Sequence, residues 1–560
     1  MTWWGRLREF LGFERRPSVP PEQRRPGTDA NIETPTPPVV VPAAAPELPT
    51  APTPAVLTPA APPAPPAIPP RPAALELPTA PTADVLLTPA EPPAPPAIPP
   101  PAAAEPLHLK ARRVRTPVVI GLDFGTSCTK CVIGVRGRAF AVQFQGSQAG
   151  TKMYLLPTQL WVGKDNTLAL SGKGAGSWYQ QLKVDLMERP DKQAPWGDGK
   201  TVTPTIVTTG FIAHALRTGR EWFLDSTKDF LADAEPVWEF NLGLPAKSHD
   251  DPKVRDSFRT VALAGWDLSM AEGWINIAAA ADAVTRASLA DFIPQAISRD
   301  SVHLVPEVAA EVVGYARSAQ KREGPHLMVD VGATTVDVCL FQLSEVDTGY
   351  CYAFYGTDVR SDLGALRLHT RRRKAIDPSA AGRGLASPLD PIPASYRDYA
   401  GANGAAAKVD DWFGAETEKT VEVVAANAKK KQRSGLVVEV ERHRGLEREK
   451  AGDIRVLMCG GGSAIPLYVD AVREAGCALA PGGRTGLRLK RFNIVPGLEF
   501  PDRLEAPGLR KADFHRIAVA YGLSFTVDNI GRFIPPSEIE PEPPRHLVEI
   551  SDRYTGKELT

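Results

Sequence analysis

The sequence predicts an α/β protein made of two related half-domains and preceded by a long disordered segment. The half-domains are predicted by two similar stretches, residues 120–130 (IGLDFGTSCTK) and residues 327–340 (LMVDVGATTVDVCL). Each reads as a strand, a tight glycine turn and a second strand, with an aspartate at the bend. The disordered segment is predicted by composition, because proline and alanine dominate residues 17–115.

The proline-rich segment, residues 17–115, accounts for much of the 56 prolines in this chain of 560 residues. It has almost no aromatic residues, so it cannot bury enough apolar surface to offset its ordering entropy, and we expect an extended, polyproline-II-like linker. An internal repeat begins at Glu47 (ELPTAPTPAVLTPAAPPAPPAIPP) and again at Glu76 (ELPTAPTADVLLTPAEPPAPPAIPP). Two interpretations stay open, a duplicated spacer and a docking site for a proline-binding partner.

Residues 1–16 (MTWWGRLREFLGFERR) predict an amphipathic helix, because Trp3, Leu7, Phe10 and Leu11 share one face at helical spacing. Such a helix can pack on the protein's own core. It can also lie in a membrane interface, which the tryptophans and basic flanks favour, or dock into a groove on a partner.

Net charge and cysteine content limit the partners and the cellular compartment that the sequence predicts. The formal net charge is zero, so no nucleic-acid partner is expected. Six cysteines in so long a chain do not form a disulfide framework, which indicates a reducing, cytoplasmic compartment. No apolar run has transmembrane length and no signal peptide is evident, so we expect a cytoplasmic protein that can be peripheral at the inner face of a membrane.

Cys128 and Cys131 form a CxxC pair that does not predict a metal or redox site. Both fall where the first glycine turn enters its second strand. Residues three apart on a strand point to opposite faces, so the two thiols should not meet.

The first glycine turn offers groups that suit a polyphosphate. The backbone amides of Gly125, Thr126 and Ser127 can approach phosphate oxygens, because glycine leaves the approach open. The Asp123 carboxylate is then left free to face a metal ion bound beside the phosphates.

The second glycine turn offers the same kinds of group through Asp330 and Gly332, and it would form the opposite wall of the phosphate site. Mg²⁺ prefers octahedral oxygen ligands and sheds its waters reluctantly. Asp123 and Asp330 are therefore the candidate carboxylates for a Mg²⁺ ion that is held mainly through water.

The two turns belong to a series of five motifs that resembles the ATPase superfamily shared by actin, DnaK-type chaperones, bacterial actin-like proteins and sugar kinases. Residues 305–315 (VPEVAAEVVGY) are similar to that superfamily's first connecting helix. Residues 456–468 (VLMCGGGSAIPLY) resemble its adenosine motif, and residues 515–525 (HRIAVAYGLSF) its second connecting helix. All five occur in the superfamily's order.

Two further stretches place the resemblance nearest to DnaK-like, heat-shock-chaperone-like ATPase domains and bacterial actin-like ATPase domains. Residues 240–250 (FNLGLPAKSHD) are similar to the strand that precedes a long helix in DnaK-type domains. The turn Asp362, Leu363, Gly364 resembles the segment that opens their subdomain IIB.

The resemblance implies a two-lobed, actin-like ATPase fold built from duplicated ribonuclease-H-like subdomains. Lobe I would span residues 116–325. Lobe II would span residues 326–533 and include a return helix, residues 512–527, that packs back on lobe I. Residues 534–560 would form an acidic, proline-containing tail, which leaves no room for a chaperone's peptide-binding domain.

Three residues take catalytic or phosphate-binding roles from the resemblance. Lys130 falls where actin and many sugar kinases carry a phosphate-contacting lysine. Glu307 is the candidate for orienting the attacking water, although the Pro306-Glu307 order exchanges the chaperones' glutamate and proline. Lys183, in LKVDL, is similar to the chaperones' catalytic lysine.

The remaining candidate nucleotide-binding residues follow from the same resemblance. They are Thr334 and Thr335 in the second phosphate turn, Gly460, Gly461, Gly462 and Ser463 in the adenosine motif, and Lys429 and Lys430 at the end of a helix at residues 416–432 that would cover the adenine. Ala333 and Thr334 stand where chaperones have glycines, and the added Cβ atoms restrict close approach to a γ-phosphate. The sequence therefore supports nucleotide binding better than fast turnover.

The resemblance implies an ATP-binding, slowly hydrolysing ATPase that acts as a nucleotide-dependent switch through an unidentified protein partner. Three alternatives stay open. A membrane-tethered filament-forming protein is one, and a metabolite kinase is another, although no sugar-kinase motif supplies its catalytic aspartate. A nucleotide-binding pseudoenzyme is the third, suggested by Ala333 and the altered order at Glu307.

Overall fold

The computed structural model describes residues 113–196, 200–245, 251–346, 349–380, 387–431, 453–485 and 487–539. All of them lie within a compact unit that spans Ala102–Thr560. The predicted helix at residues 1–16, nearly all of the predicted linker and most of the predicted acidic tail lie outside the described residues.

The described strands are numbered in chain order. They are β1 (Val114–Asp123), β2 (Cys128–Val135), β3 (Arg138–Ala141), β4 (Leu156–Pro157), β5 (Leu160–Gly163), β6 (Leu168–Ala169), β7 (Gly176–Tyr179), β8 (Ala194–Trp196), β9 (Lys200–Val202), β10 (Ala234–Leu244), β11 (Val302–Pro306), β12 (Gly324–Val331), β13 (Val336–Val346), β14 (Gly349–Arg360), β15 (Ile454–Cys459), β16 (Phe492–Ile494), β17 (Leu504–Glu505) and β18 (Arg532–Ile534).

The α-helices are numbered in the same way. They are α1 (Leu182–Glu188), α2 (Pro204–Ser226), α3 (Pro252–Met270), α4 (Ile277–Ala287), α5 (Glu307–Ala316), α6 (Ala365–Ile376), α7 (Gly404–Lys431), α8 (Pro466–Leu479), α9 (Ala518–Leu523) and α10 (Val527–Ile530). The predicted α/β class is confirmed.

Two mixed sheets repeat one strand order. The first sheet runs β11-β10-β1-β2-β3-β17, and the second runs β16-β15-β12-β13-β14-β18. In each, the first strand of the half pairs antiparallel with the next strand in sequence, β1 with β2 and β12 with β13. The same first strand pairs parallel on its other side, β1 with β10 and β12 with β15. The five central strands of the two sheets therefore have equivalent topology.

Both glycine turns form as the sequence predicts. Residues 124–127 join β1 to β2, and residues 332–335 join β12 to β13. The central strands are apolar on both faces because helices cover them, and β1 is buried over its last six residues. Cys128 and Cys131 both lie on β2.

Helix starts follow ordinary capping chemistry. Thr203 precedes Pro204 at the start of α2, and its side chain accepts a hydrogen bond from the Ile206 amide. Helix α2 packs with α3 on the first sheet through Phe211 and Trp266 among others, and α7 packs with α8 on the second sheet. No helix among the described residues is long and apolar enough to cross a bilayer.

The predicted return helix is not continuous. Residues 511–516 form a 3₁₀ segment, and the α-helix runs only from Ala518 to Leu523. The Asn241 side-chain amide in β10 donates to the carbonyls of Leu523 and Phe525, each at 2.7 Å. These bonds bring the end of α9 onto the first sheet and turn the chain out of the helix.

Helices α5 and α9 cross through small residues. Ala309 and Ala310 of α5 and Ala520 and Gly522 of α9 are all buried at the crossing. A Cβ atom on Gly522 would overlap the carbonyl oxygen of Ala310. The backbones meet directly at this point, so only glycine fits there.

Gly522→Ala is expected to lower the free energy of unfolding by about 2–4 kcal/mol, because two packed backbones must separate to admit the methyl group. Denaturant unfolding measures the effect. The matched control is Gly414→Ala in α7, where nothing lies within 4 Å of the added Cβ. That control should gain about 0.5–1 kcal/mol from better helix propensity. Equal stability of Gly522→Ala and the wild-type chain would contradict the close crossing.

Candidate functional site

The glycine turns of the two sheets open onto one cavity of about 530 Å³. That volume is within the range of small-molecule sites. The predicted site residues that line it are Asp123, Gly125, Thr126, Ser127, Lys130, Lys183, Glu307, Asp330, Gly332, Thr334, Thr335, Gly460, Gly461 and Gly462. The fold therefore brings most of the predicted site together.

The first glycine turn places an ion pair on the cavity wall. Asp123 ends β1, Lys130 faces it from β2, and the Lys130 Nζ donates to an Asp123 carboxylate oxygen at 2.8 Å. Burial alone would lower the pKa of Lys130, but the Asp123 carboxylate raises it above its usual value. A Cβ on Gly125 would overlap the Cys128 carbonyl, so this turn requires glycine.

The CxxC cysteines separate as expected. Cys128 lines the cavity, whereas Cys131 is packed in the core of the first sheet. Burial raises the pKa of both thiols.

The second glycine turn is held against the start of α6. Gly332 accepts a hydrogen bond from the Ala365 amide at 3.0 Å, and Thr334 accepts one from the Gly364 amide at 3.1 Å. A Cβ on Gly364 would overlap the Thr334 backbone. The residues Asp362, Leu363 and Gly364, noted in the sequence, thus fix the shape of this turn.

Asp330 is the penultimate residue of β12 and lies two residues before Gly332, as Asp123 lies two residues before Gly125, and the residue opposite Asp330 in register is Asp337. Equivalent positions in the two sheets therefore carry an aspartate–lysine pair and an aspartate–aspartate pair. Burial raises the pKa of Asp330 to about 6, with further contributions from the carboxylates of Glu307 and Asp123. Burial and the neighbouring Asp330 raise the pKa of Asp337 well above its usual range.

Glu311 was missed by the sequence analysis. It lies one helical turn after Glu307 on α5, so its spacing of four residues could have placed it on the same face. It is buried and lines the cavity, and burial together with Asp330 raises its pKa well above the usual range. Among the described residues, Glu311 Oε1, Asp330 Oδ1 and Asp337 Oδ1 are buried without a hydrogen-bond partner.

Buried carboxylate oxygens without partners cost free energy, and either a proton or a bound cation offsets that cost. No group of three or more His, Cys, Asp or Glu side chains in the described part of the chain is arranged to hold a metal ion directly. A Mg²⁺ ion at Asp123 and Asp330 would take its other ligands from water and phosphate oxygens.

Glu307 and Lys183 form a second ion pair in the cavity. Glu307 is the first residue of α5, and Lys183 is the second residue of α1. Lys183 Nζ lies 2.6 Å from Glu307 Oε1, and the side chains are 8% and 13% exposed. Burial raises the pKa of Glu307, while Lys183 opposes that increase. Glu307 faces the cavity despite the exchanged order with Pro306.

The third glycine turn follows β15 and reaches the same cavity. Gly460 has φ of +75°, and a Cβ there would overlap Asp330 Oδ1, so this turn packs directly on the second aspartate. Gly461 and Gly462 also line the cavity. Ser463 instead lies outside the lining, and its hydroxyl donates to the Gly460 carbonyl at 2.8 Å.

Lys429 and Lys430 are not brought to the cavity. Helix α7 packs on the second sheet through Val421, Val424 and neighbouring apolar residues, which directs its last turn elsewhere. Lys429 Nζ donates to the Leu487 carbonyl at 2.8 Å. The predicted helix at residues 416–432 does exist as part of α7, but its lysines are not part of the site that the structure assembles.

Four charged or titratable residues at or just before the start of the predicted return helix also line the cavity, and the sequence analysis did not name them as site residues. Arg510, Asp513, His515 and Arg516 come from residues 510–516, just before α9. Arg516 Nε is buried and has no hydrogen-bond partner among the described residues.

No protein-family model and no curated protein matches this sequence.

Proposed function

We propose that this chain is an ATP-binding, slowly hydrolysing ATPase of the actin, DnaK and sugar-kinase superfamily, with a two-lobed fold of duplicated ribonuclease-H-like subdomains. One observation carries the proposal. Asp123 and Asp330 lie on equivalent strands of two sheets with the same strand order, each two residues before the glycine of the turn that follows, and both line one cavity.

The strand order and the helix crossing support the superfamily assignment. In each sheet a three-strand meander is followed by two parallel strands, and helices separate those parallel strands in the chain. Helices α5 and α9 cross at Ala310 and Gly522. A crossing with so little side-chain bulk suits two lobes that change their relative position with nucleotide state.

Different cavity residues would take different roles in phosphoryl transfer. Asp123 and Asp330 would hold Mg²⁺, which supplies charge neutralisation at phosphate oxygens. The backbone amides of the two glycine turns would cradle the phosphates, and Lys130 would contribute a positive charge. Glu307 accepts hydrogen bonds at the cavity wall and is suited to orienting a water, with Lys183 holding its carboxylate in place.

Slow turnover follows from the second glycine turn. Ala333 and Thr334 carry Cβ atoms, and both accept backbone hydrogen bonds from the start of α6. These Cβ atoms restrict how closely the turn's amides can approach a γ-phosphate, so the turn would bind phosphate but stabilise the transition state less well. The Gly460, Gly461 and Gly462 turn is the proposed adenosine contact, while Lys429 and Lys430 are left out of it.

The proposed output is a nucleotide-dependent switch that acts on a protein partner in the cytoplasm. The amino-terminal residues 1–16 would attach the chain to that partner or to a membrane surface at its inner face. The filament, metabolite-kinase and pseudoenzyme alternatives share the same nucleotide site.

Phosphate release from Mg-ATP by the purified full chain tests the proposal, together with sedimentation of the same samples with and without lipid vesicles. Slow release without nucleotide-dependent pelleting is expected. Pelleting that requires nucleotide but no vesicles would favour the filament, and ATP binding without any release would favour the pseudoenzyme. Absence of both ATP binding and release would overturn the proposal.

A further inference from the structure

Arg516 lies in the cavity wall and forms no ion pair with any side chain among the described residues. It ends the 3₁₀ segment Lys511–Arg516, and its Nε is buried with no hydrogen-bond partner in the part of the chain that the structure describes. A guanidinium is always charged and offers five donors, so leaving a buried donor unpaired costs free energy. Such a cost suggests a ligand that supplies the missing acceptor.

In contrast to Arg516, Arg510 in the same segment forms a complete ion pair. Arg510 donates to both oxygens of Asp513, at 2.7 and 2.9 Å, and Thr151 donates to Asp513 at 2.7 Å. Burial tends to raise the pKa of Asp513, but these hydrogen bonds hold it below its usual value. Asp513 is therefore fully used by Arg510 and Thr151 and does not neutralise Arg516.

No acidic side chain of the cavity forms a hydrogen bond or ion pair with Arg516 in the described part of the chain. Asp123 pairs with Lys130, and Glu307 pairs with Lys183. Asp330, Asp337 and Glu311 line the same cavity, and each keeps one carboxylate oxygen without a partner rather than bonding to Arg516. An anion that enters the cavity from outside the chain can therefore supply the acceptor that Arg516 lacks.

The position of Arg516 indicates in which part of the cavity that anion would bind. Its guanidinium is 3.6–3.8 Å from the place that a Cβ on Gly461 would occupy, so it borders the third glycine turn. Gly125, Thr126 and Ser127 of the first glycine turn line the same cavity as Arg516. Arg516 therefore stands between the turn proposed to contact adenosine and a turn proposed to contact phosphate.

The segment is fixed well enough to position a ligand-binding arginine. Phe514 is fully buried in a cluster with Ile517, Ala518 and Tyr521, and the Arg510–Asp513–Thr151 contacts tie the segment to residues of the first half. Arg516 is thus presented on a supported backbone, which lowers the entropy lost when it binds.

We propose that Arg516 binds the phosphate chain of the nucleotide between the first and third glycine turns, as a phosphate-binding residue additional to Lys130. This inference rests on the proposed nucleotide-binding function. Arginine suits the role because its planar fork can donate two parallel hydrogen bonds to phosphate oxygens.

The test compares ATP, ADP, adenosine and inorganic tripolyphosphate binding to the full chain and to Arg516→Gln, Arg516→Lys and Arg473→Gln, by calorimetry. Arg516→Gln should weaken ATP and tripolyphosphate binding by at least about tenfold and adenosine binding by less than about twofold, because only the phosphate contact is lost. Arg516→Lys should retain part of the affinity. Arg473→Gln should change each affinity by less than about threefold, since Arg473 lies outside the cavity lining and pairs with Asp470 at the surface.

Thermal unfolding without ligand separates binding from structure. Arg516→Gln should unfold at the wild-type temperature or above, because it removes an unpaired charge. Unchanged ATP affinity in that variant, an equal loss for adenosine, or a clearly lower unfolding temperature would each overturn the phosphate role. A wild-type chain that binds none of the four probes would instead overturn the nucleotide-binding function itself.

Discussion

Asp330→Asn is expected to weaken Mg-dependent ATP binding by at least about a hundredfold and, at the same time, to stabilise the ligand-free chain near neutral pH. The loss of affinity follows from removing one of the two carboxylates that would hold Mg²⁺. The gain in stability follows from removing a charge that the folded chain buries without a hydrogen-bond partner for Oδ1 among the described residues.

The pH dependence fixes the sign of the stability effect. The pKa of Asp330 is raised to about 6 in the folded chain, from an ordinary value of 3.8. The folded chain therefore holds this proton more tightly than the unfolded chain does. The stabilisation that comes from the proton on Asp330 is complete below the ordinary pKa of 3.8 and is lost as the pH rises through about 6.

At about pH 7.5 the charged form should cost the wild-type chain about 1–3 kcal/mol, allowing for the partial exposure of Asp330, and Asp330→Asn should recover that amount. The advantage of the variant should shrink at about pH 5, where more of the wild-type carboxyl is protonated. Denaturant unfolding in a metal chelator, together with ATP titration, measures both effects.

Asp123→Asn provides a contrasting variant. It should also lose Mg-dependent ATP affinity, but it should destabilise the chain, because it leaves the half-buried Lys130 ammonium without its carboxylate. Asp470→Asn is the matched control, since Asp470 is 65% exposed, pairs only with Arg473 at the surface and lies outside the cavity lining. Wild-type ATP affinity in Asp330→Asn, or lower stability of that variant at neutral pH, would contradict the assignment of Asp330.

Glu307→Gln is expected to reduce the rate of ATP hydrolysis by about 10²–10³-fold while changing ATP affinity by less than about threefold. The glutamine keeps the shape and an acceptor for Lys183, but it cannot take a proton from water. Single-turnover phosphate release measures the rate, and calorimetry measures the affinity.

Lys183 and Glu307 should behave as a coupled pair in stability. Lys183→Met alone leaves a buried carboxylate without its partner and should cost about 3–5 kcal/mol. The double variant Lys183→Met, Glu307→Gln removes both charges and should recover much of that loss. Additive effects of the two substitutions on the free energy of unfolding would show that this pair is peripheral. Hydrolysis at the wild-type rate in Glu307→Gln would show that the pair has only a structural role.

The parts of the site that the sequence reveals are those encoded by local chemistry. A glycine turn between two apolar strands determines both the bend and the residue at its edge, which is why Asp123 and Asp330 are found directly from the pattern. Glu307 is found through the resemblance of residues 305–315 to the superfamily's first connecting helix. The equivalent strand order of the two sheets depends on long-range pairing, and two similar short turns indicate only that two halves exist.

The misplaced and missed residues depend on how elements pack. Lys429 and Lys430 lie on a helix that the sequence predicts, but the buried face of α7 decides where its last turn points. The return helix ends at Leu523, before the predicted residue 527, where Asn241, distant in sequence, bonds to the carbonyls of Leu523 and Phe525. Arg516 looks like an ordinary surface arginine in the sequence, and only the tertiary structure shows that its neighbours are already paired.

ATP titration of the full wild-type chain, with Mg²⁺ and with a metal chelator, tests the central claim most directly. We predict saturable ATP binding that weakens at least about tenfold when the metal is removed, because two buried carboxylates in the cleft repel an unaccompanied polyphosphate. Absence of ATP binding, or the same affinity with and without Mg²⁺, would contradict a nucleotide site organised by Asp123 and Asp330.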